Sequence, residues 1–368
     1  MAGALTVAVL GAGGTIAPAI VRDLAESPEV EQMVLIDLDA QRAEAVAQRH
    51  APGRSQVRAV NQGEALAPAL AGCDVLVNSA SYRVNLEAMD AYLQAGCHYI
   101  DLGGLYWMTD RQLERNAEFE SAGLLALLGM GSSPGKTNVM AVRAVRDLGV
   151  APDALHVSAA GRDLEPARDG ELRAPYALQT LVDEVTLAPV VVHDGSPIEI
   201  GALSPGGDVA FPDPIGRAPT IHMLHSELRT FPESFGCRES SFRLSLPEPL
   251  LGRLRELAAH PEDVAEAAAS VQPPSARTVA VHVIDATAGE RRMRVSSVTS
   301  AIQEWGIGGG VVSTGSGAAA AVRLLARGSI TATGAMAPER CVDPDDLMPE
   351  LERRGSRFNV ETEGAVAI

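Results

Sequence analysis

Lysine is almost absent from this sequence: of the 30 Lys and Arg residues, only Lys136 is a lysine. Aromatic residues make up 4% of the chain, and its four cysteines lie far apart without a CxxC pair. This cysteine spacing argues against a structural zinc site and against a dense disulfide framework, and it fits a reducing compartment. We therefore expect a cytoplasmic protein without a metal centre.

Long apolar runs are also missing, since no stretch reaches the roughly 20 residues that a membrane-spanning helix needs. The N-terminus has neither a basic leader nor a small-residue cleavage site, so we expect no secretion signal. The net charge of -17 disfavours nucleic acid as a partner, because such binding depends on clustered Lys and Arg. We expect a soluble globular protein that binds a small molecule.

The 368 residues exceed one ordinary domain of about 100 to 200 residues. In the first third, short apolar runs alternate five times with helix-patterned stretches, which is typical of a doubly wound parallel sheet. The predicted strands are Leu5–Leu10, Met33–Ile36, Asp74–Val77, Tyr99–Leu102 and Leu124–Leu128. The predicted helices are Ala17–Leu24, Gln41–Arg49, Ala65–Ala71, Asn85–Ala95 and Thr109–Ala122. The predicted fold class is α/β, with a Rossmann-like dinucleotide-binding domain at residues 1–130.

A second domain is predicted at residues 131–310, where strand-like segments become longer and loops are rich in Pro and Gly. The predicted strands there include Leu155–Ala160, Val185–His193 and Thr278–Ile284. This pattern indicates an α+β substrate domain. Residues 311–368 are predicted to form C-terminal helices that return to the first domain, the last of them over Met336–Gly355.

The turn after the first predicted strand indicates a cofactor site. Gly11, Gly13 and Gly14 lie between a strand and a helix, where the backbone can approach a pyrophosphate and the helix N-terminus can face its charge. Thr15 and Ile16 complete this turn. Ile16 occupies the third glycine position of GxGxxG, so the strict fingerprint fails, although a looser GxxGxxA spacing is satisfied. The alternative is an ordinary glycine turn.

Asp37 ends the next predicted strand and strengthens this interpretation. A carboxylate at this position can accept both ribose hydroxyls of an adenosine, which favours NAD, while the nearby Arg42 leaves NADP possible. Asp39 is predicted to cap the following helix. The small residues that follow the strand DVLV, where a dinucleotide would cross the sheet, are Asn78, Ser79, Ala80 and Ser81. The alternative for these four is a simple strand-to-helix turn.

The segment GMGSSPGKTN resembles a phosphate loop, but Met130 stands where the leading glycine is required. We therefore do not expect nucleotide hydrolysis. As the sole lysine, Lys136 could hold a substrate carboxylate, or transfer a proton if burial lowered its pKa. The alternative is a lysine that starts a helix without a further role. Ser132 lies four residues before it, which excludes the Tyr-x-x-x-Lys pair of short-chain dehydrogenases.

The segment HMLHSEL contributes His222, His225 and Glu227. Two nearby histidines without a third ligand cluster are weak evidence for a metal. Proton transfer or substrate binding by His225 or Glu227 is the better functional hypothesis, against a structural turn. An arginine such as Arg229 or Arg243 could bind a substrate carboxylate in a bidentate manner, but the chain has too many arginines for the sequence to choose among them.

Taken together, these segments resemble the saccharopine dehydrogenase-like family, in its branch of lysine 6-dehydrogenases and carboxynorspermidine synthases. The resemblance covers most of the chain and rests on the order of GAGGTIAPAI with Asp37, VLVNSASYRVN, HYIDLGG, LLGMGSSPGKTNVMA, and FPDPIGRAPT followed by HSELRTFP. It implies a two-lobed homodimer with a nicotinamide cofactor in the first lobe. It also implies hydride transfer between nicotinamide and an amine or imine of a lysine-like or polyamine-like substrate.

By position, the resemblance places Tyr82 and the segment from Asp101 to Gly103 near the nicotinamide. It places Ser133, Pro134, Gly135 and Asn138 at the entrance to the second lobe. Hydride addition to an imine requires a protonated nitrogen in a site that excludes water. The candidates for proton transfer are Tyr82, Asp101, Lys136 and His225. The candidates for substrate binding are Ser133, Asn138 and Glu227.

Two further hypotheses stay open at this point. The departure at Ile16 and the lack of a clear catalytic pair are compatible with a non-catalytic sensor that binds a dinucleotide. A carbonyl or enoyl reductase on the same fold would share the first lobe but would need an oxyanion donor in place of an amine site.

Overall fold

The computed structural model describes residues 4–60, 65–165, 173–174, 178–270, 272 and 274–363. The chain divides into two compact units. The first consists of Met1–Lys136 and Val312–Leu351, and the second consists of Thr137–Val311 and Glu352–Ile368. Residues 131–136 thus lie in the first unit, beyond the predicted domain boundary at residue 130.

The described residues form 16 strands and 12 α-helices. The strands are β1 (Leu5–Leu10), β2 (Val30–Asp37), β3 (Ser55–Ala59), β4 (Val75–Asn78), β5 (His98–Asp101), β6 (Leu125–Leu127), β7 (Ala154–Asp163), β8 (Val190–His193), β9 (Ser196–Glu199), β10 (Pro205–Ala210), β11 (Arg217–His222), β12 (Glu239–Ser245), β13 (Thr278–Ala288), β14 (Arg291–Thr299), β15 (Gly334–Met336) and β16 (Ser356–Glu363). The helices are α1 (Ala17–Ala25), α2 (Ala40–His50), α3 (Asn85–Ala95), α4 (Tyr106–Leu113), α5 (Asn116–Ser121), α6 (Lys136–Leu148), α7 (Leu178–Thr186), α8 (Glu227–Phe235), α9 (Glu248–Ala259), α10 (Val264–Ser270), α11 (Gly309–Arg327) and α12 (Pro344–Glu352).

The described strands of the first unit form a seven-stranded sheet in the order β15-β6-β5-β4-β1-β2-β3. Every neighbouring pair is parallel. The order reverses between β1 and β4, so the loops that leave these strands diverge and open a crevice at the carboxyl ends. The predicted Rossmann-like doubly wound sheet is confirmed, and its switch point lies at the glycine turn.

The central strand β1 shows why this segment forms a buried parallel strand. Val7, Ala8 and Val9 are all fully buried, so both faces of the strand are covered. A near-continuous apolar run is the expected composition where helices cover both sides of a sheet. Pro18 then lies in the first turn of α1, where its missing N–H removes no helical hydrogen bond.

Several predicted elements of the first unit differ from those observed. β3 was not predicted, because its sequence SQVRA is polar and its residues are only partly buried or exposed. The predicted helix Ala65–Ala71 is only a short 3₁₀ turn at Ala67–Leu70. The predicted helix Thr109–Ala122 is two helices, α4 and α5, with a break at residues 114–115.

The second unit contains a nine-stranded mixed sheet among its described residues. Its main order is β10-β11-β12-β7-β13-β14-β16, with β8 on β12 and β9 on β8. Only the β7–β12 pair is parallel among these neighbours. This architecture confirms the α+β character of the second domain.

Only the second half of the predicted strand Val185–His193 is a strand in the structure. Val185 belongs to α7, in which Leu181, Val182 and Val185 are buried at helical spacing, and the strand β8 starts only at Val190. A short apolar run does not distinguish a buried helix end from a strand, which explains the error.

The C-terminal segment contains the expected helices α11 and α12, and it also supplies one strand to each sheet. β15 pairs with β6 in the first unit, and β16 pairs with β14 in the second. Within the described ranges, no helix combines the length and the apolar character that crossing a bilayer requires.

Candidate functional site

The turn after β1 is closely packed against the end of β4. Gly11 has a φ of +74°, and a Cβ there would lie 2.7 Å from the backbone nitrogen of Ala80. Ser79 donates its hydroxyl to the carbonyl of Leu10 at 2.7 Å, which joins the two strand ends. The absent side chain at Gly11 therefore lets two backbone segments meet at the switch point.

The helix that follows this turn begins without a side-chain cap. Ile16 is the N-cap residue, half-buried, and its side chain accepts no hydrogen bond. Thr15 before it is exposed, and Gly14 donates its N–H back to Gly11 at 2.9 Å. Pro18 has no N–H, and Ala19 donates its N–H to the Ile16 carbonyl at 3.1 Å, so the backbone N–H groups of residues 15–17 are the donors that this helix N-terminus offers to a pyrophosphate.

Asp37, at the end of β2, is fixed by backbone donors. Its carboxylate accepts the N–H of Gly13 at 2.8 Å and that of Asp39 at 2.8 Å. A Cβ on Gly13 would lie 2.8 Å from the Cβ of Arg42, so this glycine gives the arginine stem room beside the carboxylate. Asp39 caps α2 through the N–H groups of residues 41 and 42, as predicted.

Leu38, between the two aspartates, is 69% exposed and is the most exposed large apolar residue of the described chain. Leu38 was not predicted as a site residue, and the sequence marks it only as an apolar residue between two acidic ones. An aromatic base beside the Asp37 ribose position would cover it. The uncapped helix, the glycine contacts, Asp37 and Leu38 together fit a dinucleotide.

Asp101, at the end of β5, is buried and its carboxylate is saturated with hydrogen bonds. One oxygen accepts from Tyr99 and Gln112, each at 2.7 Å, and the other accepts the N–H groups of Gly103 at 2.9 Å and Gly129 at 2.6 Å. Burial raises the pKa of this carboxyl, while these hydrogen bonds act in the opposite direction. The arrangement favours a structural role, and Gln112 is a partner that the sequence analysis missed.

The residues after β4 extend this network. Asn78 donates to Asn85 at 3.0 Å, and Asn85 donates to Asp101 at 3.3 Å. Asn78 also accepts the N–H of Ala80 at 3.1 Å, which fixes the backbone beside Gly11.

Tyr82 starts a 3₁₀ turn in which Ser81 accepts the N–H of Arg83. The Arg83 guanidinium lies 4.9 Å from the centre of the Tyr82 ring, and the tyrosine is half-buried.

The loop after β6 folds back tightly onto itself. Pro134 lies against two glycines, since a Cβ on Gly103 would approach its Cγ to 2.5 Å and a Cβ on Gly129 to 2.6 Å. Gly135 has a φ of +117° and packs against the backbone of Gly131. This turn places Ser133 half-buried at the carboxyl edge of the first sheet and directs the chain into α6.

Lys136 is 1% exposed, and its amine donates to the hydroxyl of Ser313 at 2.7 Å. The hydroxyls of Ser313 and Ser132 are 2.6 Å apart, so an amine and two hydroxyls form a continuous hydrogen-bonded chain. Burial lowers the pKa of Lys136 to about 7. Ser313 is 177 residues away in sequence and carries no local signal that could have indicated this contact.

The second unit contains a buried His225–Glu227 pair. The Nδ1 of His225 is hydrogen-bonded to Glu227, whose other oxygen accepts the Thr137 hydroxyl at 2.8 Å. The His225 ring stacks on Phe242, with centroids 3.7 Å apart. Burial disfavours both charges, but the ion pair outweighs it, so the pKa of His225 is raised and that of Glu227 is lowered.

The other residues that the sequence predicts for a site in the second unit lie on α6, α8 and β12. Asn138 is 2% exposed in the first turn of α6. Arg229 donates to Glu233 at 2.8 Å, whereas Arg243 lies on β12. No group of three His, Cys, Asp or Glu side chains in the described parts of the chain is arranged to hold a metal ion.

Comparison with protein families finds a match over residues 7–127 to the family described as saccharopine dehydrogenase NADP binding domain. A carboxyaminopropylagmatine dehydrogenase from Synechocystis sp. is 28% identical over 199 residues. This alignment covers 51% of the present chain and 48% of that relative, so the chain spans about half the length of the curated relative that it matches.

Two solved structures share the fold over nearly the whole chain. A saccharopine dehydrogenase (L-Glu forming) from Saccharomyces cerevisiae has a TM-score of 0.71 at 14% identity, with 98% of this chain and 100% of that chain covered. A homospermidine synthase from Legionella pneumophila, solved with NAD, has a TM-score of 0.75 at 12% identity, with 99% and 92% covered. The resemblance seen in the sequence is confirmed, and residues 7–127 match the saccharopine dehydrogenase NADP binding domain.

Proposed function

Because residues 7–127 match the saccharopine dehydrogenase NADP binding domain, we propose that this protein is an NAD(P)-dependent oxidoreductase that acts on a carbon–nitrogen bond. Its substrate is an amine or amino acid of the lysine-like or polyamine-like class. The proposal is supported by the partial similarity to a carboxyaminopropylagmatine dehydrogenase. The single observation that carries it is a buried amine, Lys136, at the carboxyl edge of a dinucleotide-binding sheet.

The residues that would hold the cofactor lie at the switch point of the first sheet. The backbone N–H groups of residues 15–17 would bind the pyrophosphate, and Gly11, Gly13 and Gly14 would keep the approach free of side chains. Asp37 would accept the ribose hydroxyls, which favours NAD. Arg42 beside it leaves NADP acceptable, since a guanidinium can pair with a 2′-phosphate. The residues from Asn78 to Ser81 border the path toward the nicotinamide end.

When bound, the nicotinamide accepts or supplies the hydride at the reacting carbon. Lys136 exchanges the proton of the substrate nitrogen through its chain to Ser313 and Ser132. A group with a pKa of about 7 is present in both protonation states at neutral pH, which suits an acid and base at that pH. The buried position of the amine excludes bulk water from this exchange.

The other candidates receive positioning or binding roles in this proposal. Asp101 fixes the loops that carry Gly103 and Gly129, because both of its oxygens already accept protein donors. Tyr82 and Ser133 would lie near the nicotinamide ring of a bound cofactor, at the carboxyl edge of the first sheet. In the second unit, the ion pair of His225 and Glu227 fixes the start of α8, and Asn138 contributes to substrate binding.

A spectrophotometric panel tests the proposal. Purified protein is incubated with NAD or NADP and with diamines and dibasic amino acids, and the formation of reduced nicotinamide is followed. Turnover with at least one amine is expected. Cofactor binding without turnover of any amine would support the sensor, and reduction of simple ketones would support the carbonyl reductase; either result would overturn the proposal.

The proposal includes a homodimer in a reducing cytoplasm. The four cysteines are all free, as expected where thiols are kept reduced. Size-exclusion chromatography with light scattering tests the dimer, and a monomeric mass at all concentrations would contradict it.

A further inference from the structure

Arg243 is a half-buried arginine whose guanidinium has neither a hydrogen bond nor an ion pair within the described part of the chain. Its Nε is a buried atom with no hydrogen-bond partner. Arginine is seldom buried without a partner, because removing a charge from water is costly unless the protein compensates it. Arg229, the other arginine that the sequence favoured, is ion-paired with Glu233. The two arginines are therefore not equivalent.

Two residues that pair with Arg243 on the sheet also have a buried polar atom without a hydrogen-bond partner. Arg243 pairs in register with His222 on β11 and with Ser158 on β7. Directly paired residues share one face of a sheet, with Cβ atoms about 4.5 to 5.5 Å apart. The Nδ1 of His222 and the hydroxyl of Ser158 are also buried without a hydrogen-bond partner. Three adjacent strands thus carry one row of unsatisfied polar groups, which we name the 222–243–158 row.

The charges around this row leave one positive charge uncompensated. Burial lowers the pKa of Arg243, and the charge of Asp285 on β13 acts in the opposite direction. The Asp285 carboxylate is already bound by Arg294, however, through two hydrogen bonds of 2.7 and 3.0 Å. Burial, with a contribution from Arg243, lowers the pKa of His156 to about 4 and also lowers that of His222. Both histidines are therefore neutral at neutral pH. The row presents one cation beside neutral donors.

We infer that the 222–243–158 row binds a single carboxylate group. A guanidinium binds a carboxylate through two parallel hydrogen bonds, and a neutral imidazole and a hydroxyl can each donate one more. One uncompensated charge matches a carboxylate better than a doubly charged phosphate. The row lies entirely within the second unit, and the inference does not depend on the proposed function.

Gly206 on β10 supplies the room beside this arginine. A Cβ at this position would lie 3.0 Å from the Cγ of Arg243 and 2.6 Å from the hydroxyl of Thr220. An alanine at residue 206 would therefore press on the arginine stem, and glycine leaves the guanidinium free to turn toward a ligand.

Binding to the full chain without cofactor, measured by calorimetry, tests the inference. The probes are L-lysine and 6-aminohexanoate, with 1,5-diaminopentane as their counterpart without a carboxylate, and inorganic phosphate. The variants are Arg243→Met and, as a matched control, Arg217→Met, which removes an exposed arginine from the adjacent strand β11. We expect the carboxylates to bind the wild type and the control equally and Arg243→Met at least about tenfold more weakly, because a charged bidentate contact is lost.

Equal carboxylate binding by the wild type and Arg243→Met would overturn the inference, as would phosphate binding without carboxylate binding or no carboxylate binding at all. A second readout is thermal unfolding without ligand. Removing an uncompensated charge should leave the Tm of Arg243→Met unchanged or raise it. A large loss of Tm would show that the guanidinium is satisfied within the fold and would also overturn the inference. Neither readout depends on turnover, so failure of the amine panel leaves both results intact.

Discussion

At the scale of single residues, Asp37 is held by the backbone on which a cofactor would rest. Its two oxygens accept the N–H groups of Gly13 and Asp39, so the carboxylate cannot turn away without breaking the glycine turn. Arg42 lies close by and is exposed. We propose that the balance between the fixed Asp37 carboxylate and the exposed Arg42 guanidinium decides which dinucleotide is preferred.

Replacing Asp37 with asparagine should change the cofactor preference. In Asp37→Asn, the side chain keeps its shape, loses its charge and can accept only one of the two backbone N–H groups. We expect NAD to bind at least about tenfold more weakly, since hydrogen bonds from ribose to a charged group are worth roughly 1.5 to 3 kcal/mol. NADP binding should be unchanged or stronger, because the repulsion of its 2′-phosphate is removed. Fluorescence titration with both cofactors measures this.

Asp39→Asn is the matched control for that experiment, since it removes the same charge two residues away and asparagine still caps α2. It should leave the NAD preference intact. A similar loss of preference in both variants would mean that net charge in this loop, and not the Asp37 carboxylate, selects the cofactor.

Lys136 is the residue to which we assign proton transfer. In Lys136→Met, the buried volume is largely retained and the amine is lost, so we expect kcat for amine oxidation to fall by about 100-fold or more, the usual range for loss of an acid or base. The dissociation constant of NAD should change little, because the cofactor contacts that we propose lie at Gly11 to Ile16 and at Asp37. Steady-state kinetics and cofactor titration check both statements, and unchanged kcat would remove Lys136 from the mechanism.

The residues of the candidate site were predictable from the sequence to different degrees. Gly11, Asp37 and Ala80 were found because the cofactor turn has a local signature at fixed spacing. Ser313 and Gln112 were not, since each meets its partner only through the tertiary fold. The difference between Arg229 and Arg243 likewise depends on cross-strand neighbours that the sequence does not reveal. The roles of all these residues stay predictions.

At the scale of elements, the small residues of α11 let this helix approach the backbone of the first unit. A Cβ on Gly317 would lie 2.5 Å from the carbonyl oxygen of Gly131, and one on Gly315 would lie 2.6 Å from the Cβ of Ala19. The helix therefore packs closely on the loop that leads to Lys136 and on α1. The helix thereby supports the loop that contains Ser132 and leads to Lys136 at the start of α6.

Gly317→Ala should lower the free energy of unfolding by about 1 to 3 kcal/mol, because a backbone carbonyl that cannot yield blocks the new methyl group. Gly310→Ala in the same helix is the control, since its nearest atom would be 3.8 Å away. There the new methyl group meets no close atom, so alanine should raise the free energy of unfolding by about 0.4 to 1 kcal/mol by restricting the unfolded chain. Chemical denaturation compares the two variants, and equal effects would contradict the close contact.

The elements themselves were predictable where the pattern was strong. The five apolar strands and α1 to α3 of the first unit were predicted nearly at their observed bounds, since buried parallel strands are continuous apolar runs. β3 and β15 were missed, because one is polar and the other is only three residues long. Pairing with a neighbouring strand, and not intrinsic preference, makes such segments extended.

At the scale of the whole molecule, the free energy of unfolding depends on pH through one buried lysine, Lys136. The pKa of Lys136 is lowered by burial from its ordinary value to about 7. Above pH 7 the folded chain holds a neutral amine while the unfolded chain still binds the proton. Stability therefore rises with pH until the unfolded amine also titrates near pH 10.

This coupling predicts a difference between the wild type and Lys136→Met. From about pH 7 to pH 10, the stability of the wild type relative to the variant should rise by up to about 1.4 kcal/mol per pH unit. Denaturant unfolding across this range measures the difference. A difference that does not vary with pH would mean that the amine is charged in the folded protein.

Hydride transfer from a carbon bonded to nitrogen can be followed with an isotope label. An amine substrate from the panel that carries deuterium on that carbon is incubated with the protein and NAD or NADP, and the reduced cofactor is analysed by mass spectrometry. We predict that the deuterium appears on the nicotinamide and that the turnover rate falls with the labelled substrate if hydride transfer limits it. Reduced cofactor without deuterium, or deuterium accepted only from alcohols, would contradict the account.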